Sequence, residues 1–185
     1  MGRVEDSIVS TIISKITSEF EGSDTILFAH SFKGDDTVVV KSDSILELLK
    51  FLKNDSTLNY SMLLDITAAD YLKGRSIKPA NRKLQPYLDE GNYRFEVVYH
   101  LYSFLKNHTI RVKVPLKMES LNLNSVTSFY PGASWLEREV WDMYGIKFLA
   151  HPDLRRILLY EEFEGHPLRK DYEKTKRQPL IGPTN

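Results

Sequence analysis

The stretch from Ala133 to Leu159 reads ASWLEREVWDMYGIKFLAHPDLRRILL and decides how the rest of the chain is interpreted. Ser134 stands three residues before Glu137, the spacing of a capping box, and this pattern predicts a helix that starts at Trp135. Gly145 predicts the end of this helix, because glycine readily takes the left-handed conformation that follows a helix C-terminus. A helix of about ten residues is too short to be stable alone. We therefore expect tertiary contacts to hold it.

The composition of this helix predicts how it packs. Apolar residues at helical spacing predict a buried stripe, and two oppositely charged residues four apart are placed to form an ion pair. The stripe is Leu136, Val140 and Met143, and the pair is Arg138 and Asp142. We expect the two tryptophans, Trp135 and Trp141, to anchor the helix in the core.

Two His-Pro pairs follow the helix, at His151-Pro152 and His166-Pro167. The residue before a proline is disfavoured in helical backbone, so each pair predicts a turn. We expect the prolines to fix these turns and the histidines to hydrogen-bond to backbone groups.

The composition restricts the class of protein. The chain has 185 residues, which suits one domain, and its 25 basic and 25 acidic residues give no excess positive charge for nucleic-acid binding. It has no cysteine, which excludes disulfides, iron–sulfur ligation by this chain and thiol catalysis. No apolar run is long enough to span a bilayer and the N-terminus lacks a signal-peptide core, so we expect a cytosolic compartment.

Hydrophobic periodicity predicts the remaining elements. Residues 71–91 are expected to form a long loop. The predicted helices are 4–20, 45–52 and a short one at 121–126, and the predicted strands are 25–32, 37–41, a buried strand at 62–66, 93–103 and 109–116, with a hairpin turn at Gly34-Asp35-Asp36. This order predicts a two-layer α+β fold, a mostly antiparallel sheet with helices on one face. We expect one domain over residues 1–172, with its signature region at 133–172, and an extended C-terminal tail over 173–185.

The charged residues do not form a recognisable catalytic motif. Glu137, Glu139, Asp142, His151 and His166 could ligate a metal, but no H-E-x-x-H or E-x-x-H spacing is present. Residues two apart on a helix point to different sides, so Glu137 and Glu139 cannot share a substrate. The residues alone favour a protein interaction module. The open alternatives are a free-standing metal-dependent hydrolase using Glu137, Asp142 and His151, and a structural domain whose charged motif is a solvated face.

Three strings resemble one family. They are WLEREVWDMYGIKFLAHPDLRRIL from Trp135 to Leu158, GHPLRKDY from Gly165 to Tyr172, and RFEVVYHL from Arg94 to Leu101, which RVKV follows at 111–114. Together they resemble the 30-kilodalton subunit, also called the C subunit, of respiratory complex I, the proton-pumping NADH:quinone oxidoreductase. Ser134 stands where this family usually has asparagine, and both residues are good N-caps.

The resemblance implies a non-catalytic subunit of the peripheral arm, on the cytoplasmic side of the cell membrane. Its implied partners are the large quinone-site subunit, of the 49-kilodalton or D type, and the neighbouring small iron–sulfur subunit, with the iron–sulfur clusters, flavin and quinone held by partners. The same family occurs in energy-converting hydrogenases and deazaflavin-dependent dehydrogenases. The residues expected to dock these partners are Glu137, Arg138, Glu139, Asp142, His151, Arg155, Arg156, Arg169 and Asp171.

Overall fold

The structure, a computed structural model, describes residues 10–72, 93–179 and 181. The predicted long loop at 71–91 lies almost wholly outside the described residues. In chain order the elements are α1 (Thr11–Glu19), β1 (Ile26–Phe32), β2 (Asp35–Val40), a 3-10 turn (Ser42–Ser44), α2 (Ile45–Asn54), β3 (Met62–Asp70), β4 (Phe95–Ser103), β5 (His108–Leu116), β6 (Asn122–Asn124), α3 (Ala133–Tyr144) and β7 (Lys147–Leu149).

The main sheet has five strands in the order β1-β2-β5-β4-β3. Its strand pairs are antiparallel except β2–β5, which is parallel. Strands β6 and β7 form a separate parallel pair. The predicted α+β class and mostly antiparallel sheet are therefore confirmed.

One face of the sheet carries the hydrophobic core. Alternate residues of the central strands, such as Val38, Val112 and Tyr99, point to this face because successive side chains in a strand alternate between faces. The buried side chains of all three helices join the same cluster, including Ile16 of α1 and Val140 of α3. The helices thus cover one face of the sheet, and α3 packs against its β3 edge.

The first helix and hairpin differ from the predicted bounds. The Ser10 hydroxyl accepts the Ile13 N–H at 3.1 Å and caps α1, so this helix starts at Thr11, and residues 4–9 of the predicted helix lie outside the described part of the chain. The hairpin turn is Lys33-Gly34, both with positive φ, instead of Gly34-Asp35-Asp36. A two-residue turn with two positive φ values matches the twist of the flanking strands, so Asp35 and Asp36 belong to β2.

Three other predictions need correction. Strand β3 lies at the sheet edge with Met62 and Leu64 exposed, so it is not the buried strand that its apolar run predicts. The predicted helix at 121–126 is wrong, because residues 122–124 pair with β7 as strand β6. The extended tail is not confirmed, since the Gln178 amide bonds both the N–H and the carbonyl of Glu164, which brings residue 178 back to the segment before it.

Candidate functional site around helix α3

Helix α3 begins two residues earlier than predicted and has no capping box. It starts at Ala133, after Gly132, and no side chain bonds its N-cap. Glu137 is buried and bonded to another segment, so it cannot turn back toward Ser134. The predicted end is confirmed, because Gly145 has φ 73° and its N–H donates to the Trp141 carbonyl at 2.8 Å.

Arg138 and Asp142 bind the backbone of the segment that follows β7. The Arg138 guanidinium donates to the carbonyls of Arg155 at 3.0 Å and Arg156 at 2.9 Å. One Asp142 oxygen accepts three consecutive N–H groups, those of residues 157, 158 and 159, at 2.9–3.1 Å. The predicted ion pair between Arg138 and Asp142 is therefore wrong, because both side chains are occupied by this segment.

A short ion pair completes the environment of Asp142. Its other oxygen accepts Arg156 Nη1 at 2.6 Å, and Arg156 Nη2 donates onward to the Phe163 carbonyl at 2.8 Å. Burial alone would raise the pKa of Asp142, but the three N–H donors and Arg156 outweigh burial and lower this pKa. Asp142 is therefore a buried, ionised carboxylate that holds the arginine segment in place.

The C-terminal end of α3 is bonded by the second His-Pro segment. The last carbonyls of a helix have no partner within the helix. Three of these carbonyls have partners in the second His-Pro segment. His166 Nδ1 hydrogen-bonds to the Asp142 carbonyl at 3.0 Å, and the Leu168 N–H donates to the Met143 carbonyl at 3.2 Å. Arg169 Nε donates to the Tyr144 carbonyl at 2.6 Å. Residues 166–169 therefore cap the helix from outside its own chain segment.

Gly145 allows this cap to approach. A Cβ atom built on Gly145 would overlap the Arg169 guanidinium and the His166 ring. Positive φ and this close approach both require glycine at the position.

A second cluster of ion pairs connects the end of the signature region to the main sheet. Arg94, just before β4, binds Asp70 through two nitrogens at 2.9 and 3.1 Å and also binds Asp171 at 2.7 Å. The Lys170 N–H donates to Asp70 at 2.9 Å. The hydrogen bond from Arg94 lowers the pKa of Asp171, so this carboxylate stays ionised well into the acid range.

The histidines make the predicted backbone bonds. His151 Nε2 lies 3.1 Å from the Ser134 carbonyl, and its Nδ1 accepts the Asp153 N–H at 3.0 Å. Among the described residues, no group of three or more His, Asp or Glu side chains is arranged to hold a metal ion.

The predicted docking residues divide into two sets. Glu137, Arg138, Asp142 and the His151 side chain are buried, while Arg156 and Arg169 are half-buried and bonded within the chain. Glu139, Arg155 and Asp171 are the exposed ones. Most of the charged signature residues therefore bond within this chain, and the exposed ones are accessible to a partner.

The most exposed apolar residues of the region were missed by sequence reasoning. The Trp135 side chain was expected in the core but is 63% exposed, with the Arg138 guanidinium 5.1 Å from its ring centre. Leu158, which follows the arginine pair, is 60% exposed. We call Trp135, Glu139, Arg155 and Leu158 the α3 surface. The helical spacing was the available signal, because Trp135 lies outside the spacing that places Leu136, Val140 and Met143 on one stripe.

The chain matches one protein family over most of its length. Residues 38–178 match the family model described as "Respiratory-chain NADH dehydrogenase, 30 Kd subunit". The chain is 38% identical over 176 residues to the NADH-quinone oxidoreductase C subunit of Dinoroseobacter shibae, covering 94% of this chain and 74% of that protein. It is 40% identical to the corresponding C subunit of Geobacter metallireducens, covering 92% of this chain and 90% of that protein.

Two solved structures share the fold. A trypsin-resistant fragment of Nqo5 has a TM-score of 0.57 and 26% identity, and the match covers 77% of this chain and 96% of that chain. A chain of the membrane-bound sulfane sulfur reductase, an archaeal respiratory membrane complex, has a TM-score of 0.66 over 89% of this chain and 85% of that chain, and at 21% identity it shows the fold alone. The chain therefore belongs to the 30-kilodalton subunit family of respiratory-chain NADH dehydrogenase, as a peripheral subunit of a complex-I-like assembly.

Proposed function

We propose that this chain is a non-catalytic docking subunit of an NADH:quinone oxidoreductase, and that it binds the large quinone-site subunit and the small iron–sulfur subunit through the α3 surface. One observation supports the proposal most strongly. The buried charged residues of the signature region bond within the chain, while Trp135 and Leu158 of the same region are exposed. Tryptophan and arginine are enriched at the centres of protein interfaces.

The chemistry of the α3 surface supports a protein partner. The Arg155 side chain is 73% exposed and its visible ion pair, with Asp153 at 3.0 Å, is also exposed. Exposed pairs of this kind contribute little to stability, so Arg155 is free to exchange Asp153 for a carboxylate of a partner. The exposed guanidinium, indole and leucine of the α3 surface fit an acidic and apolar patch of a partner.

We propose that the cofactors and the catalytic residues belong to partner subunits. The chain has no cysteine for iron–sulfur ligation. Within residues 10–72, 93–179 and 181, no helix is both long and apolar enough to cross a membrane. We also propose that the chain is attached to the cytoplasmic side of the membrane through the other subunits.

Affinity purification of the tagged chain from detergent-solubilised membranes tests this function. We expect the large quinone-site subunit and the small iron–sulfur subunit to co-purify, together with a flavoprotein that oxidises NADH. A nickel hydrogenase subunit or a deazaflavin-binding subunit in place of this flavoprotein would assign the chain to a related complex instead. Recovery of the chain alone from these membranes would contradict the docking role.

A further inference from the structure

Glu137 is a buried carboxyl group, and no described lysine or arginine forms an ion pair with it. Its side chain is fully buried, one oxygen accepts the Val126 N–H at 2.7 Å, and the other accepts the Ser125 hydroxyl at 2.7 Å. Arg138, the next residue, directs its guanidinium to the carbonyls of residues 155 and 156. Within the described parts of the chain, the only basic nitrogen paired with Glu137 is His151 Nε2, at 3.9 Å.

Both ring nitrogens of His151 have backbone partners. Its Nδ1 accepts the Asp153 N–H, so the ring proton lies on Nε2, where the Ser134 carbonyl can accept it. A second ring proton would break the bond from Asp153. His151 Nε2 is therefore directed to the Ser134 carbonyl, and it lies beyond hydrogen-bond distance of Glu137.

Strand β4 contributes a buried hydroxyl group. The Tyr99 hydroxyl makes no hydrogen bond to any residue that the structure describes. Burial, and then the nearby Glu137 charge, raise the pKa of Tyr99 well above its usual value, so this side chain stays neutral. Burial likewise raises the pKa of Glu137 to about 7, against the opposing effect of the bonds from Val126 and Ser125.

A chain of hydroxyl groups leads from Glu137 toward the surface. The Ser125 hydroxyl lies 2.8 Å from that of Thr127, which is half-buried. The Thr127 N–H also donates to Ser125 Oγ, at 3.2 Å. Hydroxyl groups both donate and accept, so this pair can pass a proton without moving the backbone.

We propose that Glu137 is a proton-binding site, which exchanges one proton with solvent through Thr127 and Ser125 and so links the stability of helix α3 to pH. On uptake, Thr127 Oγ1 receives a proton and passes its own to Ser125, which passes its own to Glu137. The two hydroxyl bonds reverse direction, and the neutral acid then donates to Ser125 while it still accepts from Val126. One proton enters and the buried charge disappears.

The first test follows the carboxyl group directly. In the full chain labelled with 13C at glutamate, the Cδ signal that disappears in Glu137→Gln is followed through a pH titration. We expect its midpoint near neutral pH. A midpoint in the range of ordinary glutamates, at about 4.3, would overturn the proposal.

The second test uses variants and fluorescence. Both tryptophans lie on α3, so intrinsic fluorescence reports on this helix. Glutamine has the shape of a protonated glutamate and can make the same two bonds, so Glu137→Gln should remove the fall in thermal stability that ionisation of Glu137 causes between about pH 5.5 and about pH 8.5. The histidines with lowered pKa values, His30, His100 and His166, act in the opposite direction and remain in the variant. The control Glu47→Gln, at an exposed position on α2, should retain the fall that Glu137 causes. The same dependence of thermal stability on pH in Glu137→Gln as in the unmodified chain would overturn the proposal.

Two further variants test the hydroxyl route. Ser125→Ala removes a donor that stabilises the carboxylate, so we expect it to move the Glu137 midpoint to higher pH. Thr127→Val should slow the fluorescence response to a rapid pH jump several-fold. An unchanged midpoint in the first variant, or an unchanged rate in the second, would contradict the route through these hydroxyls.

Discussion

Arg138 and Asp142 lie four residues apart on α3 and bind the same backbone segment, one as a hydrogen-bond donor and the other as an acceptor. Arg138 donates to two carbonyls of residues 155 and 156, and Asp142 accepts three N–H groups of residues 157–159. A short, irregular segment has few backbone partners of its own, and buried backbone groups need partners. These two side chains therefore hold the segment that contains Arg155 and Leu158. They are not part of the α3 surface, but they determine where two of its residues lie.

Asp142→Asn should destabilise the isolated chain strongly. The amide cannot neutralise the half-buried Arg156, and its NH2 group cannot accept the bonds that the buried carboxylate accepts. Breaking a buried pair in this way costs about 3 kcal/mol in the free energy of unfolding. Urea denaturation measures this value. Asp153→Asn, in an exposed pair with Arg155, is the control and should change it by less than about 1 kcal/mol.

Gly145→Ala should also destabilise the chain, by about 2 kcal/mol, because it combines positive φ with an overlap against Arg169 and His166. The matched change Gly132→Ala meets nothing within 4 Å and has negative φ, so it should be nearly neutral. Thermal unfolding of the two variants compares them. Equal effects would show that the cap at residues 166–169 does not require glycine.

The carboxyl groups make the stability of the chain depend on pH in two opposite ways. Asp142, Asp70 and Asp171 have lowered pKa values, so the unfolded state binds more protons in acid, and their contribution is lost as the pH falls below about 4. Glu137 has a pKa raised from 4.5 to about 7, so the folded state binds the extra proton between these values, and stability falls as the pH rises through them. This second effect amounts to about 3 kcal/mol. In Glu137→Gln, the fall in stability that Glu137 causes toward neutral pH should disappear, and the loss of stability in acid should remain.

Arg94→Lys should loosen the end of the signature region without unfolding the core. Lysine cannot bind both oxygens of Asp70 and also reach Asp171, as the arginine does. The Lys170 N–H, which donates to Asp70, should exchange its hydrogen faster in this variant. Lys176→Arg, in an exposed pair with Glu164, is the control and should leave that exchange rate unchanged. A rate at Lys170 unchanged by Arg94→Lys would show that the cluster does not hold the segment.

Local sequence signals predicted local structure well. Gly145 ends α3 because its conformation depends only on its own backbone, and the alternating strands β4 and β5 formed close to the predicted positions. The fold class followed from the order of such elements. The 121–126 segment was misassigned because its pairing partner, β7, lies more than twenty residues away.

The candidate site depended on contacts that no local pattern reveals. The capping-box spacing of Ser134 and Glu137 is present, but the carboxylate is taken by Ser125 and Val126 instead. The i, i+4 spacing of Arg138 and Asp142 is also present, but the backbone after β7 competes for both. In each case a distant segment offers a buried partner, which outweighs a surface interaction of a few tenths of a kcal/mol.

The assembly of the complex tests the docking claim most directly. The double variant Trp135→Ala/Leu158→Ala removes the exposed apolar part of the α3 surface, and Phe104→Ala/Leu105→Ala removes equally exposed residues from the β4–β5 turn. Truncating central interface residues of this kind costs about 2 kcal/mol each, which predicts a loss of assembled complex well above tenfold. Assembled complex is quantified in solubilised membranes by native electrophoresis, with the folding of each purified variant checked by circular dichroism. We expect the first variant to fold but fail to assemble and the second to assemble normally; normal assembly of the first variant would contradict docking through the α3 surface.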